Sequence, residues 1–178
     1  MLFEIPKDIT DYLAVLDDFI EREIKPIENR EDNIRFFDHR RENARTDWDN
    51  DGHPRADWWA LLAEMRVVAD KAGHYRYAIP EEFGGKNGSN LSMAVIRHHL
   101  AHKGLGLHND LQNESSIVGN LVQVLMLRDF GTPQQKARYL KRLLAGEGVI
   151  SVGMTEPEAG SAVTDLTTTA TADGDGYR

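Results

Sequence analysis

The sequence contains no cysteine. That removes a disulfide framework, a thiolate metal site and a cysteine nucleophile together. It also lacks a basic excess: 21 Lys and Arg stand against 29 Asp and Glu, for a formal net charge of −8. The one basic cluster, residues 35–45, is diluted by Asp38 and Glu42. Binding to nucleic acid needs clustered Lys and Arg to displace phosphate counterions, so no nucleic-acid partner is expected. An anionic membrane surface is disfavoured for the same reason. No apolar run is long enough to cross a bilayer. Residues 1–7 lack the basic and apolar regions of a signal peptide, and the expected location is cytoplasmic, without a membrane partner.

What is present reads as a globular chain. Of 178 residues, 40% are hydrophobic and 28% charged, enough to bury a core unaided by metals or disulfides. Ile9, Leu13, Leu16, Ile20 and Ile24 recur at helical spacing over residues 8–28, and Pro26 is expected to end or bend that helix. Residues 29–56 are polar and aperiodic, read as a long loop with a short helix near 34–45. A second helix is expected over 57–72, with Trp58, Leu61, Leu62, Met65 and Val68 on one side and Gly73 as its stop. Residues 78–85 then run extended into a turn at Gly84-Gly85, where two glycines permit positive φ.

Ser89 or Asn90 can cap a third helix running to about 103, with Leu91, Val95, Ile96 and Leu100 facing the core. The fourth, 115–128, is apolar nearly all round through Ile117, Val118, Leu121, Val122, Val124, Leu125, Met126 and Leu127, which suggests a central place in a bundle. Thr132-Pro133 with Gln135 is a capping box with proline at the first helical position, opening a helix to about 145. After Gly148 the pattern changes. Residues 149–154 and 164–172 read as strands, and Asp173-Gly174-Asp175-Gly176 as a hairpin turn. The fold class expected is therefore mainly α. An N-terminal helical bundle over 1–148 is followed by the opening strands of a β-barrel-like middle domain over 149–178, and the chain is expected to stop inside that domain.

The most informative segment is Met154-Thr155-Glu156-Pro157-Glu158-Ala159-Gly160-Ser161. It offers a strand end, a hydroxyl, a carboxylate held extended by the following proline, and then Gly160, which lets backbone N–H groups approach a ligand, beside the Ser161 hydroxyl. Such groups suit the edge of a planar heterocycle and a phosphate. The same residues suit, equally well, a polar strand-to-strand loop rich in turn formers.

This segment is similar to the flavin-binding segment of the acyl-CoA dehydrogenase family. Pro80-Glu81-Glu82-Phe83-Gly84-Gly85 resembles that family's proline-to-double-glycine turn. Gly131-Thr132 with Gln135-Lys136, Tyr139-Leu140 and Gly146-Glu147 resembles the helix before its β domain. The three motifs stand in the family's order and cover roughly residues 75–178, whereas 29–56 match only loosely. The resemblance implies FAD as cofactor, with Val152, Met154 and Thr155 along the flavin ring and Gly160 and Ser161 towards its pyrophosphate. Ser161 would also border the acyl-CoA site. The implied reaction is α,β-dehydrogenation of an acyl-CoA thioester, with electrons passing to an acceptor such as an electron-transfer flavoprotein. The implied assembly of a complete chain is a homo-oligomer, a tetramer. The catalytic carboxylate is expected beyond Arg178, so no catalytic residue is assigned, and Glu156 or Glu158 is expected to brace the loop rather than act as the base. Two departures stand out: Ala162 stands where the family usually has an Asp that supports loop geometry, which bears on FAD affinity, and residues 73–77 are unusually polar and aromatic, which points to a subgroup.

His98 and His102, four apart, could share a helix face with His108 as a third ligand. The pattern of a metalloprotease helix is missing, and no metal is expected. Trp48, Trp58 and Trp59 are read as packing residues rather than a ligand platform. Two rivals stay open: an acyl-CoA oxidase or flavin monooxygenase on the same scaffold, and a non-catalytic helical interaction fragment.

Overall fold

The fold is that of a computed structural model, which describes residues 4–38, 40, 43–111, 120–145 and 153–178. It is mainly helical. Helix α1 (Lys7–Phe19) passes into a π segment (Ile20–Ile24) and then α2 (Lys25–Glu28). Pro26 therefore does not end the helix. Its ring lacks a donor and crowds the preceding turn, and the wide π turn lies directly ahead of it, the usual adjustment to such a defect. Leu16, Phe19, Ile20 and Ile24 are buried along this run as the periodicity predicts.

Helix α3 (Ala56–Lys71) buries Trp58, Leu61, Leu62, Met65 and Ala69 and stops at Gly73 with φ +77. Helix α4 (Asn90–His102) is capped by Ser89, whose Oγ accepts the Ser92 N–H at 3.1 Å. Its inner face is Met93, Ile96 and Leu100, whereas Leu91 is exposed. Helices α1, α3 and α4 share one core with Ile27, Leu107 and Leu111.

The 29–56 segment is more than a polar loop. A 3-10 turn (Asn33–Phe37) buries Phe36 and Phe37 against Trp58, their ring centroids 5.2 and 6.0 Å from the indole. Strands β1 (Thr46–Asp47) and β2 (His53–Pro54) then pair antiparallel. Arg45 donates to the Phe36 carbonyl and lies 4.5 Å from the Trp58 ring centroid, so the hairpin is pinned to the core by a cation–π contact.

Buried Glu28 and half-buried Asp17 tie the helices to their neighbours. Glu28 pairs with Lys25 at 2.7 Å and accepts the Leu107 N–H at 2.5 Å, fixing the turn after α4. At Gly106 a Cβ would stand 2.5 Å from His108 Nδ1 and 2.7 Å from Glu28 Oε2, so only glycine fits there. On the other side, Asp17 of α1 meets His99 at 2.7 Å and Lys103 at 2.9 Å. Partial burial would raise the Asp17 carboxyl, but the hydrogen bonds and charges of Lys103 and His99 outweigh it and hold the group below its ordinary value.

Helix α5 (Asn120–Phe130) packs on α6 (Pro133–Leu144). The capping box is made in both directions: Gln135 N–H to Thr132 Oγ1 at 3.2 Å, Thr132 N–H to Gln135 Oε1 at 2.8 Å. The sequence places α5 centrally, but Met126 is 57% exposed and Phe130 86% exposed. An apolar circumference permits burial on every side without supplying the cover. Residues 115–119 of the expected helix, including Ile117 and Val118, lie outside the described residues.

Beyond 153 the expected strands are mostly absent. Residues 149–152 lie outside the described residues, and 153–155 carry no strand. The Thr-rich stretch begins with a 3-10 turn (Val163–Asp165) and reaches a strand only at β3 (Ala172–Asp173), which pairs with β4 (Gly176–Tyr177) in the register Ala172↔Tyr177. The hairpin turn thus falls where its residues predict, with Gly174 at φ +62. Longer strands need a partner for their ladders.

Candidate functional site

The segment from Met154 to Ser161 forms its own small turn. Pro157 and Glu158 sit at its tip, and Glu156 and Ala159 close it by exchanging N–H···O bonds of 3.0 and 3.2 Å. Ala159 is buried and Glu156 half-buried, while Met154, Thr155, Gly160 and Ser161 are all exposed. Of the residues predicted to meet a cofactor, these four therefore lie together on one open loop, whereas Val152 lies outside the described residues.

Their chemistry fits a flavin dinucleotide. The hydroxyls of Thr155 and Ser161 are at the surface, available to a polar ring edge or a phosphate. Nothing lies within 4 Å of where a Cβ on Gly160 or Gly153 would stand, so a ligand can come up to the backbone at both positions.

Glu156 is not free to act as a base. Its Oε2 accepts the Thr167 N–H at 3.0 Å and the Thr167 hydroxyl at 3.2 Å, and its Oε1 accepts the Thr168 N–H at 2.8 Å. The bond from the Thr167 amide, then those from Thr168, hold its carboxyl down at about 2. A carboxyl that acidic is a weak proton acceptor at neutral pH. Thr167 and Thr168, strand residues by their pattern, are instead the donors that hold this carboxylate. An acidic residue a short loop away from consecutive threonines was the available signal.

The histidines separate. His98 and His102 bring their Nε2 atoms to 3.1 Å, but His108 is buried in the core. Among the described residues no three His, Cys, Asp or Glu side chains group as metal ligands. A cleft of about 410 Å³ beside α4, lined by Arg97, His98, Leu100, Ala101 and Asn109, contains none of the predicted flavin residues. The tryptophans also part: Trp58 is core, and Trp48 and Trp59 are exposed.

A helical bundle running into a loop and hairpin of this kind defines a class of domain, and comparison with known proteins names it. The profile of the acyl-CoA dehydrogenase N-terminal domain matches residues 8–147. The chain belongs to the acyl-CoA dehydrogenase family. It is 35% identical to (2S)-methylsuccinyl-CoA dehydrogenase of Cereibacter sphaeroides over 127 residues, 68% of this chain and 22% of that protein. It is 31% identical to the caffeyl-CoA reductase-Etf complex subunit CarC of Acetobacterium woodii over 107 residues, 60% of this chain and 27% of that one. The crystal structure of the ChsE4-ChsE5 complex from Mycobacterium tuberculosis shares the fold, with a TM-score of 0.59 and 20% identity over 99% of this chain and 38% of that one. The chain thus spans about a quarter of the length of these two curated relatives. Among the described residues no helix is long and apolar enough to cross a membrane.

Proposed function

We propose that this chain is part of an FAD-dependent acyl-CoA dehydrogenase that introduces an α,β double bond into an acyl-CoA thioester. The observation that carries the reading is the open loop bearing Met154, Thr155, Gly160 and Ser161, in a chain whose helical domain is that of the family. When bound, the flavin would accept a hydride from the substrate β carbon while a base removes the α proton. Thr155 would donate a hydrogen bond to the ring, where negative charge builds on hydride acceptance. Gly160 and the Ser161 hydroxyl would receive the pyrophosphate, with Ser161 also bordering the acyl-CoA. Glu156 is committed to Thr167 and Thr168, which supports placing the base outside the chain described here. The domain division is proposed at 148/149, and the 178-residue chain alone is expected to show little or no turnover.

The proposed electron acceptor is an electron-transfer flavoprotein, in keeping with the Etf complex named for the Acetobacterium relative. A cytoplasmic homotetramer is the proposed state of the full protein. Adding an acyl-CoA to the full natural protein without oxygen should bleach its visible flavin absorbance, and an electron-transfer flavoprotein should restore it. Reoxidation by dioxygen at the same rate as by that acceptor would replace the dehydrogenase reading with an oxidase one.

A further inference from the structure

We propose that Glu156 is a positioning residue whose carboxylate ties together the two ends of the 157–166 loop and thereby holds Gly160 and Ser161 in the geometry that receives the cofactor. This rests on the flavin reading above. The loop needs such a tie. Among the described residues its other hydrogen bonds are local: the Glu156–Ala159 pair closes the tip, the Asp165 N–H reaches Ala162, and Thr164 reaches its neighbour Asp165. Regular pairing resumes at Thr171 with Arg178, outside the loop. Among the described residues, the bonds that join the loop's two ends are those at Glu156.

A single carboxylate suits this place. Two consecutive amides, Thr167 and Thr168, converge on its two oxygens, with the Thr167 hydroxyl adding a third donor. The acceptor is ionised, so each bond is charge-assisted and stronger than a neutral one. Pro157 fixes the backbone on the following side and holds Glu156 extended. With the tie cut, the loop would sample many conformations, and a ligand would have to reorder Gly160 and Ser161 on binding. Glutamine cannot replace the group, because its NH2 would face one of the two amide donors.

The test uses the full natural protein and the series Thr167→Val, Glu156→Gln and Glu156→Ala, read by amide hydrogen exchange at Thr167 and Thr168 and by FAD titration. Both readouts should worsen in that order. Thr167→Val, which removes only the hydroxyl bond, should be nearly silent, and Glu156→Ala should weaken FAD roughly 10-fold or more. The thermal transition of the helical bundle should not move, which separates positioning from folding. Unchanged exchange in Glu156→Ala would overturn the tie. Faster exchange with unchanged FAD affinity would overturn its positioning role. Wild-type protein with protected amides but no FAD uptake would overturn the flavin reading itself, leaving Glu156 as a loop clasp only.

Discussion

Gly85→Ala should destabilise the fold by about 3 kcal/mol or more, as overpacking against backbone does, whereas Gly84→Ala should cost about 1–2 kcal/mol. The two glycines look alike in sequence, but they serve different ends. Gly84 sits at φ +79, and an added Cβ would meet only the Arg76 side chain at 3.6 Å, an ordinary contact. Its cost is the left-handed backbone alone. At Gly85 a Cβ would stand 1.8 Å from the Ile79 carbonyl oxygen, 2.4 Å from its carbon and 2.6 Å from the Arg76 carbonyl oxygen. These are backbone atoms of the turn that Gly85 closes through its own N–H to Pro80. They cannot yield separately. Arg76 binds Asp70 on α3, the Phe83 carbonyl and the Leu144 carbonyl at the end of α6, so pushing its backbone disturbs three elements. Thermal denaturation should show a loss of roughly 10 °C for Gly85→Ala in a chain of this size. Equal midpoints for the two variants would contradict this assignment.

Acidification from pH 6.5 towards pH 4 should remove about 3 kcal/mol of stability through His74 alone. His74 is only 3% exposed and packs against Phe19, with ring centroids 4.4 Å apart, while its Nδ1 lies 2.9 Å from the Tyr12 hydroxyl. Burial, then the charge of Lys86, pushes its pKa down from 6.5 to about 4. The unfolded chain therefore takes up the proton first. The stabilisation is fully present above pH 6.5 and is lost as pH falls through the window to about 4, where the folded ring protonates as well. His108, also lowered by burial first, loses stability in the same direction. The paired carboxylates Asp17, Asp57 and Glu64, all held below their ordinary values, add to the loss at the acid end of this window and below it. Denaturant titrations at pH 7, 6, 5 and 4.5 measure the slope. His74→Asn, which keeps a polar atom at the Nδ1 position facing the Tyr12 hydroxyl but cannot titrate, should be less stable at pH 7 and show a shallower slope. An unaltered slope in that variant would place the titrating group elsewhere.

The helices were legible because their signals are local. The Leu16–Ile20–Ile24 stripe and the Thr132–Pro133–Gln135 cap each act within a few residues, so sequence alone shows them. What was not legible depended on distant partners. Phe36 and Phe37 looked like part of a polar loop until Trp58 and Arg45 met them. The exposure of Met126 and Phe130 depends on what stands opposite them, which periodicity does not encode. The strands expected at 164–172 failed because alternation shows only a capacity to pair. In the candidate site, the loop and its open glycine could be read from turn formers, and the carboxylate could be set aside as a brace. Its partners, eleven and twelve residues on, emerged only from the fold.

Whether the loop at Met154–Ser161 faces a flavin can be measured at Gly160. A side chain there meets nothing within 4 Å in this chain, so Gly160→Val should fold like the wild type. The flavin absorbance of the full natural protein, wild type beside Gly160→Val, then reports on the ligand and not on the fold. Bound flavin is expected in the wild type and its loss in the variant, with the thermal transition unchanged. A variant that retains its full complement of flavin, or a wild type that binds none, would contradict the flavin reading.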